Sequence, residues 1–291
     1  MDQLAPILAS GLELGAIYAL TALAVHLLFQ GTGLINFAQG HFVMLGTMLY
    51  WTFAVKFELH AVPAGMLTVV AVAAIGWIAY VMVLKPAKDA KMLMLIIATI
   101  GIAYIIQTAC QFIWGPQPKA VPSPISPSAI GTGHALIEPQ TILIVAGASA
   151  ALAGVYLYFT RTLGGLAMLA SAQNPKGGLV IGVQSQVTAK NLWVLAAAMS
   201  AFAGVLASPI VGARFDSGMS FTLLAFASAV LGGIGSAVGV VLGGLFIGLL
   251  QALVAGYWSS TYREAFVFGA FLLILVVRPW GLFTREGDQR A

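Results

Sequence analysis

Apolar runs separated by short polar stretches organise the whole chain, at roughly 4–29, 34–56, 61–84, 93–113, 141–159, 190–213, 219–235, 236–256 and 264–282. A helix needs about 20 apolar residues to cross the hydrocarbon of a bilayer. With no water to satisfy the backbone there, a spanning segment of this kind is helical. The runs therefore predict an all-α integral membrane protein, a polytopic bundle of about eight or nine transmembrane helices. The 34–56 and 219–235 runs are short or interrupted by glycine. Either is expected to be broken or re-entrant.

The interruption at 33–46 reads GLINFAQGHFVMLG and carries three neutral polar side chains, Asn36, Gln39 and His41. An unpaired amide in hydrocarbon costs several kcal/mol, so these groups must face protein or water. Two readings are open. Glycines break the helix and the polar groups line a pathway at mid-depth, as discontinuous helices do in transporters, or the amides bond neighbouring helices. Tyr18 and Glu13 in the first run join Asn36, Gln39 and His41 as candidate pathway residues, Glu13 near its outer end. A second glycine-rich stretch, LGGIGSAVGVVLGG, spans 231–244. Gly235, Gly239 and Gly243 recur every four residues and are expected along one helix face for close packing. The alternative is a second broken helix opposite the first.

Composition supports the membrane reading: 60% of residues are hydrophobic and 8% charged, against about 25% charged in soluble domains. The net charge of +4 reflects basic residues at run ends, so it reads as topology and implies no nucleic-acid partner. Lys85, Lys88 and Lys91, then Arg161, Lys176 and Lys190, then Arg278, Arg285 and Arg290 fall on one side if the spans alternate. That side is expected to be cytoplasmic, with the C-terminus there and the N-terminus outside. The proline-rich 114–140 loop then lies outside. No Lys or Arg precedes Lys56, so the first run does not read as a secretory signal. The lone Cys110 forms no internal disulfide and is expected to pack in the bundle.

Residues 160–190 do not read as a span. Gln173, Asn174, Pro175, Lys176, Gly177 and Gly178 stand at the centre, and Pro175 cannot continue a helix unbroken. Two short amphipathic helices with a turn, on the cytoplasmic side, are expected here.

Three segments carry a family resemblance: 11–46, 165–183 (GLAMLASAQNPKGGLVIGV) and 225–253, followed by RPWGLF at 278–283. The chain resembles the permease subunits of branched-chain amino-acid ABC transporters, of the LivH type, in the same order over nearly its whole length. The resemblance implies one transmembrane permease domain over 1–291 in a multi-pass protein of the cell inner membrane. It implies as partners a second permease subunit, homologous or identical, two cytoplasmic ATPase subunits and an extracytoplasmic substrate-binding protein, besides membrane lipid. The segment 163–186 matches the loop that docks on the ATPase, and Ala172, Gln173, Asn174, Pro175, Lys176 and Gly182 are its candidate coupling residues. The chain departs from the family at Leu166 and Leu169, where arginines are common, and at His41, where an acid is common.

No G-x-x-x-x-G-K-[ST] loop occurs, and no His/Cys/Asp/Glu cluster has metal spacing. The expectation is a non-enzymatic permease with no cofactor or metal of its own, ATP being bound by partner subunits. The competing class is a gradient-driven secondary transporter or channel for a small solute. It needs intramembrane ionisable residues, for which Glu13, His26 and His41 are the candidates.

Overall fold

The computed structural model describes residues 4–87, 90–125, 138–174, 177–178, 182–278 and 281–282. Among these, ten α-helices follow one another: α1 Leu4–Thr32, α2 Gln39–Trp51, α3 Ala61–Ala79, α4 Met92–Trp114, α5 Pro139–Arg161, α6 Leu163–Gln173, α7 Ser185–Val211, α8 Gly218–Gly232, α9 Ala237–Tyr257 and α10 Arg263–Val277. Short π-helical segments, Thr52–Lys56 and Tyr80–Leu84, extend α2 and α3. Among the described residues, six helices are long and apolar enough to cross a membrane: α1, α3 with its π extension, α4, α5, α7 and α9. The 34–56 run is not one helix. Its first residues form a non-helical turn, and α2 begins only at Gln39. The final run likewise leaves the helix at Val277 rather than continuing to 282.

The helix pairs α1–α2 and α7–α8 are built alike. Each long helix stops at a glycine in the left-handed region, Gly33 (φ 70°) and Gly212 (φ 69°). In each case that glycine's N–H closes onto the carbonyl four residues back, Phe29 or Ser208. Glycine carries no Cβ penalty there, which suits a helix C-terminus. Six residues, 33–38 and 212–217, then lead into a short helix. The pairs run in opposite senses. Residues 43–46 of α2 lie along 201–204 of α7, whereas Tyr18, Ala22 and Val25 of α1 lie along Phe221, Ala225 and Ala229 of α8. The two short helices meet antiparallel through their N-terminal turns, with Gly40 on Thr222, the His41 ring on Gly218, and Phe37 near Phe226. Both begin level with the middle of the long helices, since Gln39 reaches Ala196 and Ser200 and Phe221 reaches Tyr18. This is an inverted repeat with discontinuous helices at the midplane.

Each long helix also holds an antiparallel partner at backbone distance. A Cβ on Gly248 of α9 would lie 2.1 Å from the Gly15 nitrogen, and one on Gly244 would lie 2.5 Å from the Ala19 Cα. In the other half, Gly76 of α3 packs on Ala197 of α7. Small residues permit such approaches, and dispersion at short range then holds the helices together without a hydrophobic driving force. Gly239 and Gly243 pack against the end of α8, at Gly232 and Ser228. Gly235 does not share their helix face. It lies in the turn before α9, where its carbonyl accepts from Gln30 Nε2. The four-residue spacing continues beyond the helix start, because Ser236 caps α9 by accepting from the Gly239 N–H.

The helices divide the molecule into two ends. At one, Tyr80 Oη donates to Gln186 O, Gly281 touches Gly233, and α6 follows the end of α5. Lys85, Lys91, Arg161, Lys190 and Arg278 stand at the helix ends there. At the other, Lys119 and Ala213 exchange both backbone hydrogen bonds, Thr141 donates to Glu13, and Ser123 to Gln140. Helices α1, α2, α7 and α8 form the interior. The outward faces of α3, α4, α5 and α10 show large apolar side chains such as Met82, Phe112, Tyr156 and Val276. Cys110 is buried, as the sequence predicts.

Adding a methyl group at the α1–α9 contact separates the helices. Gly248→Ala is expected to destabilise the protein by about 1–3 kcal/mol, read as a fall in the thermal unfolding midpoint in detergent. Gly154→Ala on α5, where an added Cβ meets nothing within 4 Å, is expected to be neutral or mildly stabilising.

Candidate functional site

The structure gathers the polar residues of 33–46 into one hydrogen-bonded clasp. Asn36 Oδ1 accepts from the Ala38 N–H at 2.9 Å, turning the chain into α2, and Asn36 Nδ2 donates to Gln39 Oε1 at 2.9 Å. Gln39 Nε2 donates to Ala196 O at 2.8 Å and Ser200 Oγ at 2.6 Å. The Gly40 N–H donates to Thr222 Oγ1, and the Phe37 N–H to Thr99 Oγ1. His41 Nε2 faces Gln107 Oε1 at 3.4 Å. The first turn of α2 is thereby tied to α4, α7 and α8. Asn36, Gln39 and His41 are almost wholly buried, at 3%, 0% and 3% exposure, and none of them lines the cavities described below. Gly33 makes the break. Gly40 and Gly46 lie inside α2 and allow it to touch α8 and α7.

Two larger cavities lie at opposite ends. At the Lys119–Ala213 end, a space of about 440 Å³ is lined by Tyr18 and Leu14 of α1, the 210–217 turn, Phe221 of α8, Gln251 of α9, and Arg263 and Glu264 of α10. Tyr18 Oη donates to Gln251 Oε1 at 2.6 Å, and both residues are buried. Arg214 and Asp216 hold each other bidentately at 3.0 and 2.8 Å. That contact keeps the Asp216 carboxyl below its ordinary value of 3.8. A depressed carboxyl contributes stability above its unfolded pKa and loses it as pH falls through the folded one. The pair is therefore intact at physiological pH and opens only in strong acid. Glu13 is separate. It accepts from Thr141 Oγ1 and lines a smaller space of about 180 Å³ with Ser123 and Glu138.

At the opposite end, a cavity of about 340 Å³ has apolar walls from Leu23 and Leu27 of α1, Phe159 of α5, Met168 of α6, Leu192 of α7 and Val241 of α9. His26 borders it and is held by the Ile234 carbonyl at 2.7 Å. Ala172 of α6 also lines this cavity. Of the two short helices expected at 160–190, the first is α6, capped by Thr162 at one end and terminated by Asn174 at the other, and the second falls on a stretch of which 175–176 and 179–181 lie outside the described residues. Asn174 is exposed, and its Oδ1 accepts from the Gly177 N–H at 2.9 Å. Gly182 turns in the left-handed region (φ 85°) before α7. Pro175 and Lys176 lie outside the described residues, as does the side chain of Gln173. Leu166 and Leu169, the two departures from the family's arginines, are 45% and 37% exposed.

Of the predicted pathway residues, Tyr18 alone reaches the polar cavity. Its partner Gln251 and the α10 residues Arg263 and Glu264 escaped sequence reasoning. A glutamine inside the 236–256 run and an Arg-Glu pair opening the last run were the available signals.

An all-α bundle of this kind, with interrupted helices meeting at mid-depth and a cavity at each end, is an integral membrane transport protein. The family described as branched-chain amino acid transport system / permease component matches residues 7–276, and the chain belongs to it. It is 29% identical to the high-affinity branched-chain amino acid transport system permease protein LivH of Escherichia coli K12, over 97% of this chain and 96% of that protein. BraD of Pseudomonas aeruginosa is likewise 29% identical, with the same coverage. A probable LivH of Methanocaldococcus jannaschii is 26% identical over 90% and 87% of the two chains. No solved structure matches significantly. The role that follows is that of a permease subunit in an ABC importer.

Removing the hub of the clasp strands several buried partners at once. Gln39→Leu is expected to cost about 1–3 kcal/mol, measured as a lower unfolding midpoint, whereas Gln30→Leu on the exposed end of α1 is expected to change little. In a Cys110→Ser background, cysteines at 36 and 39 should resist aqueous thiol reagents in the conformation described. Rapid labelling at both would place these positions on a water-filled path instead.

Proposed function

We propose that the chain forms one half of the translocation unit of an importer for branched-chain amino acids or similar small solutes. It works by alternating access, with ATP bound and hydrolysed by partner subunits and no cofactor in this chain. The partners are a second permease, homologous or identical, two cytoplasmic ATPases and an extracytoplasmic binding protein. The substrate assignment rests on relatives that are branched-chain amino acid transport system permease proteins. The cytoplasmic end is the one carrying Lys85, Lys91, Arg161, Lys190 and Arg278, in keeping with the excess of basic residues on cytoplasmic loops. The N-terminus is then outside and the C-terminus inside.

The observation that carries the reading is the position of α6. It packs at the foot of α1, α5 and α7 on the basic end and borders the apolar cavity through Met168 and Ala172. A push on α6 therefore reaches both long helices of the inverted repeat by direct contact. The exposed Asn174 turn and the uncovered leucines 163, 166 and 169 offer a surface for the ATPase. Ligands or nucleotides shift such an equilibrium only by binding one state better. ATP-driven closure of the ATPase pair supplies that difference.

Two measurements test this. The chain co-produced with its ATPase and binding protein is expected to take up labelled leucine in vesicles, and uptake of urea or benzoate with none of leucine would reassign the substrate. Asn174→Ala combined with Lys176→Ala is expected to lower ATPase stimulation by loaded binding protein about tenfold, a change of about 1.4 kcal/mol. Full stimulation in the double variant removes the coupling role of this turn.

A further inference from the structure

The polar cavity presents an unusual set of unspent groups. Arg214 and Asp216 neutralise each other, which leaves Arg263 and Glu264, consecutive in the first turn of α10. Among the described residues neither has an ion-pair partner. Among the described residues, one cation and one anion thus face the same space without an ion pair to each other or to a neighbour. Deeper in, Tyr18 Oη occupies Gln251 Oε1. The amide Nε2 of Gln251 has no hydrogen bond to the described residues, so its two N–H donors remain for a guest. Leu14, Phe221 and Leu224 supply an apolar wall beside them.

We propose that this cavity is a low-affinity binding site for a small zwitterion with an apolar side chain, an α-amino acid. Its carboxylate is met by Arg263 and the Gln251 amide, its ammonium by Glu264, and its side chain by the Leu14–Phe221–Leu224 wall. The inference rests on the importer reading and adds to it a site in the permease itself. A volume of about 440 Å³ falls in the range of about 300–1,000 Å³ that small-molecule sites occupy. The ionic partners suit transit. Arg263 is exposed and Glu264 half-buried, so their attraction is weakened by water and the solute is not trapped. Recognition by opposed charges also discriminates, because a solute lacking either charge leaves one protein ion without its counter-charge.

The test uses the assembled transporter in proteoliposomes, carrying Cys110→Ser and Ser220→Cys, since Ser220 lines the same cavity. The rate of labelling of that cysteine by a membrane-impermeant thiol reagent is measured from the N-terminal side. About 20 mM leucine, enough to fill a site with Kd of about 1 mM, is expected to slow labelling at least about threefold. Leucinamide, which lacks the carboxylate, and 4-methylpentanoate, which lacks the ammonium, are expected to leave the rate unchanged. Glu264→Gln and Gln251→Leu, each added to the reporter, are expected to abolish protection by leucine. Vesicles that import leucine but show no protection overturn the site and leave the importer reading intact. Protection by leucine in vesicles that import none sustains the site and removes the substrate assignment. Equal protection by all three solutes overturns recognition of the zwitterion.

Discussion

Everything in this bundle depends on how two helices can begin in the middle of an apolar layer. A helix start exposes N–H groups that have no partner within the helix, and hydrocarbon offers none. For α2 the debt is met from four directions. Asn36 takes the Ala38 N–H, Thr222 takes that of Gly40, Thr99 takes that of Phe37, and the Ala38 carbonyl takes that of His41. Thr222 belongs to α8, so the satisfaction of one interrupted helix is built into the other. The clasp explains why three neutral polar side chains sit in a greasy stretch: Asn36 replaces water for the backbone that has left its helix, Gln39 ties Asn36 to Ala196 and Ser200 of α7, and His41 faces Gln107 of α4.

Glycine acts in two distinct ways here, and the distinction matters for reading the sequence. Gly33 and Gly212 are needed for their backbone conformation. Gly40, Gly46, Gly244 and Gly248 are needed for what lies against them. A spacing pattern does not separate these uses. Gly235, Gly239 and Gly243 fit a four-residue period, yet the first belongs to a turn, since Ser236 starts α9 between them.

The spans, their order and the irregularity of 34–56 and 219–235 were legible because apolar length and glycine interruption are local properties. The basic residues at run ends were equally legible, and the structure places Lys85, Lys91, Arg161, Lys190 and Arg278 at one end. The inverted repeat was not. Its halves share helix lengths and a six-residue turn, but the equivalent positions Asn36 and Phe215, or Gln39 and Gly218, have unrelated side chains, so no sequence period reveals them. The polar cavity was half legible. Tyr18 is a polar group inside an apolar run, whereas Gln251 is brought to it by the antiparallel pairing of α1 with α9, a contact between residues more than two hundred positions apart, and Arg263 and Glu264 follow at the start of α10.

That same pairing limits where a solute can pass. Along α1 the polar cavity reaches Tyr18 and the apolar cavity starts at Leu23, less than two helical turns further on, or about 8 Å. What separates them on the α9 side is the contact of Gly244 with the Ala19 backbone. A barrier of side chains opens by rotamer changes, but a backbone contact opens only if whole helices part, with loss of every close contact from Gly11 to Gly248. On the importer reading α1 and α9 therefore move as one body. The route between the cavities then runs along a seam where side chains meet, on the α8 side of α1, where Tyr18 and Phe221 stand with ring centroids 6.5 Å apart. Helix α8 is short, starts at mid-depth and touches both cavities' neighbours. A small tilt of α8 about Gly233, which follows its last turn in a left-handed conformation, changes the seam; it strains the contacts of α8 with Gly40 and Gly243 but leaves the α1–α9 contact whole.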